Sequence, residues 1–263
     1  MSANLITLTT DFGLRDGYVA AMKGAILSSS PELRLIDVTH ELPPGGIAAA
    51  AYVLRQAAPF FPAGTVHLVV VDPGVGSGRR GVACRCGSQL YVAPDNGVLS
   101  AVLESEPPLR AHEISRPQLW RKDPSPVFHG RDVFGPVAAH LAGGGDLGEV
   151  GEAIDPASLI RAPWPEPRLQ GDVWTGAVIY VDRFGNLVTS VPLEPGSTGA
   201  GSVEIGDRRL ELARTYSDVP DGELLALRGS SGLLEIACNG GSAARMLGAK
   251  PGHVITFRAQ PRS

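Results

Sequence analysis

The stretch Val69-Val70-Val71-Asp72-Pro73-Gly74-Val75-Gly76-Ser77-Gly78-Arg79-Arg80 decides how this chain is read. It begins as a β-branched apolar run, the pattern of a strand covered on both faces within a parallel sheet. Asp72 falls where that strand should end, and Pro73 cannot donate to a continuing ladder. Gly74, Gly76 and Gly78 let the backbone turn sharply or approach a ligand closely, and two arginines close the loop. Open α/β sheets build their sites at the carboxyl ends of strands, and an acid followed by a flexible loop ending in cations fits that habit. A plain βα turn with an aspartate cap and solvated arginines is also compatible with this stretch alone.

Upstream, Leu5 to Thr9 reads as a first strand running into Thr10-Asp11-Phe12-Gly13-Leu14-Arg15-Asp16. A helix pattern follows from Tyr18 to Leu27, with Val19, Met22, Ala25 and Ile26 on one face. Asp11 and Asp16 thus share one strand-to-helix loop, as caps or as ligands. Leu35 to Val38 is a second strand ending in Asp37-Val38-Thr39-His40, and an alanine-rich helix covers about Ile47 to Ala58. Downstream, Val82 to Cys86 and Gln89 to Ala93 are short strands, Pro94-Asp95-Asn96-Gly97 is a turn, and Val98 to Leu103 starts a helix. Strand–helix alternation with short loops predicts a doubly wound, Rossmann-like parallel sheet. Pro107 to Pro126 reads as irregular and delivers Phe128-His129-Gly130-Arg131-Asp132 to a helix through Leu141. A histidine flanked by glycine, arginine and aspartate at a helix N-terminus is a candidate base.

Composition changes after Ala162. Pro163-Trp164-Pro165 opens a linker read as 163–170, between an α/β domain over 1–162 and a smaller antiparallel β-barrel domain over 171–263. Strands are expected at Asp172 to Val181, Asn186 to Val191, Gly201 to Ile205, Arg208 to Leu212, Leu224 to Leu227 and Leu233 to Ala237, with almost no helix. Tyr180-Val-Asp182-Arg-Phe184-Gly-Asn186 marks a tight turn. Gly229-Ser230-Ser231-Gly232 and Asn239 to Ala244 are loops rich in backbone donors, either hairpin turns or ligand loops.

The 263 residues are 43% hydrophobic and 19% charged, a globular balance. A net charge of −4 gives no reason to expect nucleic acid or an anionic membrane as partner. No apolar run approaches the ~20 residues of a membrane span, and the N-terminus lacks a signal-peptide pattern, so a cytoplasmic location is expected. Cys84 and Cys86 share a strand face, and with Cys238 they read as buried thiols rather than a disulfide or zinc site. No dinucleotide fingerprint, phosphate loop, metalloprotease helix or nucleophile elbow occurs, and neither a metal nor a cofactor is expected.

Taken together, Thr10-Asp11-Phe12-Gly13 with Asp16, Asp37-Val-Thr39-His40, Asp72-Pro-Gly-Val-Gly-x-x-Arg79, Ala93-Pro-Asp95-Asn96-Gly97, Phe128-His129-Gly130-Arg131-Asp132 and Asp182-Arg-Phe184-Gly-Asn186 resemble the S-adenosyl-L-methionine hydroxide adenosyltransferases. These SAM hydrolases are relatives of the fluorinating and chlorinating enzymes, and the resemblance runs from about Leu5 to about Phe257. It implies hydrolysis of S-adenosyl-L-methionine to adenosine and L-methionine by attack of hydroxide on ribose C5′, with no cofactor beyond the substrate. It also implies an N-terminal α/β domain, a C-terminal β-barrel, and a homotrimer with sites at subunit interfaces.

By the same resemblance, Asp72, Arg79 and His129 hold and activate the water: His129 accepts or relays its proton, Asp72 orients it and Arg79 favours the hydroxide. Asp11 accepts the ribose hydroxyls, Asp16 and Asp182 face the α-ammonium, and Phe184 and Asn186 flank the adenine. Ser231 and the loop near Ala243 complete the carboxylate and adenine pockets. The halogenating branch carries a tyrosine at the position of Asp72 and a tyrosine–serine pair at His129-Gly130, which separates this chain from it. That branch also carries an arginine near Gly241 that this chain lacks. Two other readings stay open here: a halide-using 5′-halogenase and a non-catalytic adenosine-binding protein.

Overall fold

The computed structural model describes residues 4–162, 165–195 and 201–259. The chain divides into two compact units, Met1–Ala162 and Pro163–Ser263. In the first, β1 (Leu5–Thr10) leads to α1 (Tyr18–Ser29), β2 (Arg34–Thr39), α2 (Ile47–Ala57) and β3 (Val66–Val70). Next come β4 (Gly81–Cys86), β5 (Gln89–Pro94), α3 (Ser100–Ser105), β6 (Pro108–Glu113), α4 (Gly135–Ala142) and β7 (Ala153–Ile154). The sheet order is β2-β1-β3-β5-β4-β6-β7.

Alternation along β3 explains why helices cover both faces. Leu68 and Val70 pack with Met22 and Ile26 of α1 and Val137 and Leu141 of α4. Val69 and Val71 belong to the opposite core, with Ala50 and Leu54 of α2 and Val102 of α3. Cys84 and Cys86 point into that second core as free, buried thiols. Their mutual hydrogen bond and burial push the Cys84 thiol well above its ordinary value.

The parallel sheet read from sequence is corrected to a mixed one. Strands β1, β2, β3 and β5 run parallel, but β4 lies antiparallel between β5 and β6. Only Gly87 and Ser88 separate β4 from β5, and a two-residue loop joins antiparallel neighbours, since a parallel pair needs a crossover. A second correction is β6, inside the segment read as irregular. It sits one strand in from the edge, paired outward only to the two-residue β7, and Pro108 occupies its first position, where proline is tolerated.

In the second unit the strands are β8 (Arg168–Gln170), β9 (Val173–Val181), β10 (Leu187–Pro192), β11 (Gly201–Ile205), β12 (Arg208–Glu211), β13 (Leu224–Arg228), β14 (Leu233–Cys238) and β15 (Val254–Ala259), with α5 (Ala243–Leu247) before the last. Their order, β12-β11-β15-β9-β10-β14-β13, is antiparallel, and a bridge between Leu212 and Ala226 draws its two ends together into a nearly closed barrel. Val178, Leu187, Val203, Leu234, Ile236 and Phe257 fill it. Helix α5 and strand β15 were not foreseen. Pro163 and Trp164 of the expected linker lie outside the described residues, and Arg168–Gln170 pairs as a strand with β9. No helix among the described residues is long and apolar enough to cross a membrane.

Candidate active site

Asp72 stands two residues past β3, where the chain leaves the sheet. Its carboxylate receives Arg79 twice: Nε donates to Oδ1 at 2.9 Å and Nη2 to Oδ2. The same Nη2 donates to His129 Nδ1 at 2.8 Å. One guanidinium thus joins an acid from the β3 loop to a histidine that follows fifty residues later in the chain. Both Asp72 and Arg79 are largely buried, with side chains 5% and 11% exposed.

The electrostatics follow from this order. Burial, and then the Arg79 charge, push the His129 imidazole below its ordinary pKa, against the opposing pull of Asp72 and Asp132. His129 is therefore neutral at pH 7. An arginine donates only, so Nδ1 is the ring's acceptor, and the neutral ring carries its proton on Nε2.

Neighbouring side chains hold these three in place. Arg79 Cζ lies 5.1 Å above the Phe134 ring, whose edge meets His129. Asn96 Nδ2 donates to the Val71 carbonyl at 2.9 Å and fixes the strand end from which Asp72 projects. Arg80, next to Arg79, is clamped by buried Asp95. Asp132 accepts two bonds from Arg131 and one from the Ser125 N–H, so the carboxyl is held below its usual range and the segment before His129 is pinned. Sequence reading took Asp95-Asn96 as a turn only. Its signal was two polar, non-glycine residues after a fully buried strand, where an anchor is needed.

A small cavity of about 120 Å³ opens at Asp72 and His129, bounded also by Asp11, Phe12, Phe128 and Gly130. Gly130 is closely approached: an added Cβ would stand 3.1 Å from Val70 Cγ1 and 3.3 Å from Phe12 Cζ, so those side chains would have to give way. Asp11 Oδ2 accepts the Gly45 N–H at 2.7 Å, which orients the carboxylate. Asp16 is exposed in the same loop and does not line the cavity.

In the second unit Asp182 organises its turn. Oδ1 accepts the Phe184 and Asn186 N–H groups, and Oδ2 accepts Asn186 Nδ2. Gly185, at φ +87°, passes so near Ser242 that no side chain fits, and its carbonyl receives Ala244 N–H at 2.9 Å. This ties the turn to α5. Phe184 and Asn186 line a second cavity of about 580 Å³ with Tyr216, Gly241 and Arg245. Burial pushes the carboxyl of Glu235 up, and this acid receives Tyr216 Oη–H at 2.8 Å. Ser231 accepts Leu233 N–H in its turn, and Ala243 is buried in the barrel core; neither lines this cavity. Tyr216 and Arg245 were missed, although Thr215-x-x-Asp218 is a legible capping box around the tyrosine, and Arg245 beside Gly241 corrects the reading that this chain has no arginine there.

Comparison with known proteins places the chain in one group. A family model described as the SAM hydroxide adenosyltransferase N-terminal domain matches residues 6–151, and its C-terminal counterpart matches 176–256. An (R)-S-adenosyl-L-methionine hydrolase of Salinispora tropica is 43% identical over 97% of each chain. One from Thermus thermophilus is 42% identical over 92% of this chain and 95% of its own. A fluorinase of Nocardia brasiliensis is further off, at 29% identity over 94% of both. The crystal structure of a conserved protein from Thermotoga maritima superposes with a TM-score of 0.89 at 37% identity, covering 96% of this chain and 99% of its own.

Proposed function

The chain belongs to the SAM hydroxide adenosyltransferase family, and from that premise we propose that it hydrolyses S-adenosyl-L-methionine to adenosine and L-methionine. The observation that carries the reading is the direct contact of Asp72, Arg79 and His129 at one cavity that Asp11 also lines.

Water attacks ribose C5′ from the side opposite the sulfonium, the C5′–S bond breaks, and methionine leaves as a neutral thioether. No general acid is needed at sulfur, and one proton must leave the attacking oxygen. Positive charge on the substrate is lost as the new C–O bond forms, so a dry site that holds the nucleophile in line favours the reaction. In this reading Arg79 already occupies His129 Nδ1, so Asp72 rather than His129 accepts a hydrogen bond from the water and is the first group to draw on its proton. His129 presents Nε2–H to an oxygen lone pair, and Arg79 stabilises the developing hydroxide. Asp11 takes the ribose hydroxyls, Asp16 and Asp182 the α-ammonium, Phe184 and Asn186 the adenine, and Ser231 with the Ala243 loop the remaining contacts. Tyr216 and Arg245 add an aromatic wall and a cation to the purine side.

Ligand pockets for molecules of this size span roughly 300–1,000 Å³. The cavity at Asp72, at about 120 Å³, is too small for the substrate, while the one at Phe184 is large enough for a purine. The reading therefore includes a homotrimer whose subunits complete one another's sites, supported by the exposed apolar side chains of Val127 at the first cavity and Phe184 at the second. It includes a cytoplasmic location and no resident metal or cofactor, since substrate and water supply every atom of the products.

Incubation with S-adenosyl-L-methionine in halide-free buffer, followed by product analysis, tests the reaction. Equimolar adenosine and methionine, undiminished by removing halide, is the expected outcome. A 5′-halonucleoside on adding halide, or surviving substrate with adenosine retained on the protein, would support one of the other two readings instead.

A further inference from the structure

The Asp37-Val38-Thr39-His40 motif takes no part in the chemistry above, yet it lies directly behind the loop that presents Asp11. His40 follows β2 and is 3% exposed. Its Nδ1 is 2.8 Å from Oγ1 of Thr10, the fully buried last residue of β1. Thr10 Oγ1 accepts Phe12 N–H at 3.2 Å, and the His40 carbonyl accepts Gly13 N–H at 2.7 Å. One residue thus holds both sides of Asp11-Phe12-Gly13, with its ring through Thr10 and with its backbone directly. Phe12 in turn packs on Phe128 and against Gly130, in the wall of the cavity.

Thr10 Oγ1 has one hydrogen and two lone pairs, so beside the Phe12 N–H it bonds His40 Nδ1 with either ring tautomer. His40 Nε2 stands 3.1 Å from Asp37 Oδ1, in contact with the carboxylate but off the line of a hydrogen bond. Asp37 is fixed on its other side by Lys23 Nζ of α1 at 2.7 Å. The order Lys23–Asp37–His40–Thr10–Phe12 resembles a catalytic relay, but its hydroxyl is sealed from solvent and cannot serve as a nucleophile.

We propose that His40, oriented by Asp37, is a positioning residue that sets the Asp11–Gly13 loop so that the Asp11 carboxylate meets both ribose hydroxyls. This rests on the reading of Asp11 as the ribose ligand. The test compares kcat and KM for S-adenosyl-L-methionine and its 2′,3′-dideoxyribose analogue in the wild type and in Asp11→Asn, His40→Phe, His40→Asn and Thr10→Val, each checked for folding by circular dichroism. His40→Phe and Thr10→Val should raise KM for the natural substrate about tenfold while leaving kcat within about threefold, and should abolish the preference for the diol. His40→Asn, which keeps an acceptor near the Nδ1 position, should restore most of that preference. Thr10→Val is close to isosteric and keeps the test alive if His40→Phe does not fold.

Full diol preference in folded His40→Phe or Thr10→Val, with Asp11→Asn still losing it, overturns the positioning role alone. Equal losses on both substrates would also overturn it, because they mark a general structural role. No diol preference in the wild type overturns the reading of Asp11 and the positioning role together.

Discussion

The planar fork of Arg79 serves an acid and an imidazole at once, and the proposed chemistry turns on it. Lysine offers a point charge on a flexible stem and cannot reproduce both contacts. Arg79→Lys should therefore lower kcat by ~10- to 100-fold with KM changed less than threefold, measured by steady-state adenosine release. His129 supplies a pH signature. Its pKa is depressed, so the neutral ring is the working form, and protonation would set a cation against Arg79. Activity should hold as pH falls through 7 and drop only below the ordinary histidine value of about 6.5. A kcat/KM profile with an acid limb above that value would contradict the assignment. Much of this was legible in the sequence, because an acid at a strand's end and a histidine followed by glycine, arginine and aspartate are local patterns. The tautomer of His129 was not, since it depends on an arginine fifty residues away in the chain.

At the scale of elements, the loops matter more than the strands that carry them. The segment leading to His129 has little regular structure and is held by Asp132, whose side chain is 1% exposed. Asp132→Asn keeps an acceptor but loses the charge that draws Arg131 and Arg121. It should cost about 2 kcal/mol in urea unfolding, the worth of a hydrogen bond to a charged group, and lower kcat in step. An unchanged unfolding midpoint would show that the loop is held by something else. Strand β6 shows where sequence reading stops. Pro108, Leu109 and Arg110 lack the alternation of a half-buried strand, because the segment lies near the sheet edge with Leu109 exposed. Its place is fixed by β4, an element distant in sequence, and no local pattern encodes that pairing.

Across the molecule, the α/β and β-rich units were readable from their contrasting periodicities, whereas closure of the barrel was not. Closure depends on the Leu212–Ala226 bridge and on β15 inserting between β11 and β9, all of them long-range pairings. A polar knot inside the first unit sets its response to acid. His67 bonds Thr7 and Gln89 and stacks on Tyr91, and burial pushes its pKa down to about 4. The folded state holds this ring neutral, while the unfolded chain protonates it near 6.5. Stability from His67 is thus fully present above about 6.5 and is lost as pH falls toward 4, by about 3 kcal/mol in all. Thermal unfolding between these limits should lose part of its pH dependence in His67→Gln; an unaltered slope would place the sensitivity elsewhere.

The account stands on three side chains aiming one water at C5′. Rapid-quench single turnovers in oxygen-18 water, on the wild type, Asp72→Ala and His129→Ala, test it most directly. The wild type should give adenosine labelled at its 5′ oxygen and unlabelled methionine, with the chemical step slowed ~10²-fold or more in either variant while substrate still binds. Unlabelled adenosine, or a variant that turns over at the wild-type rate, would contradict it.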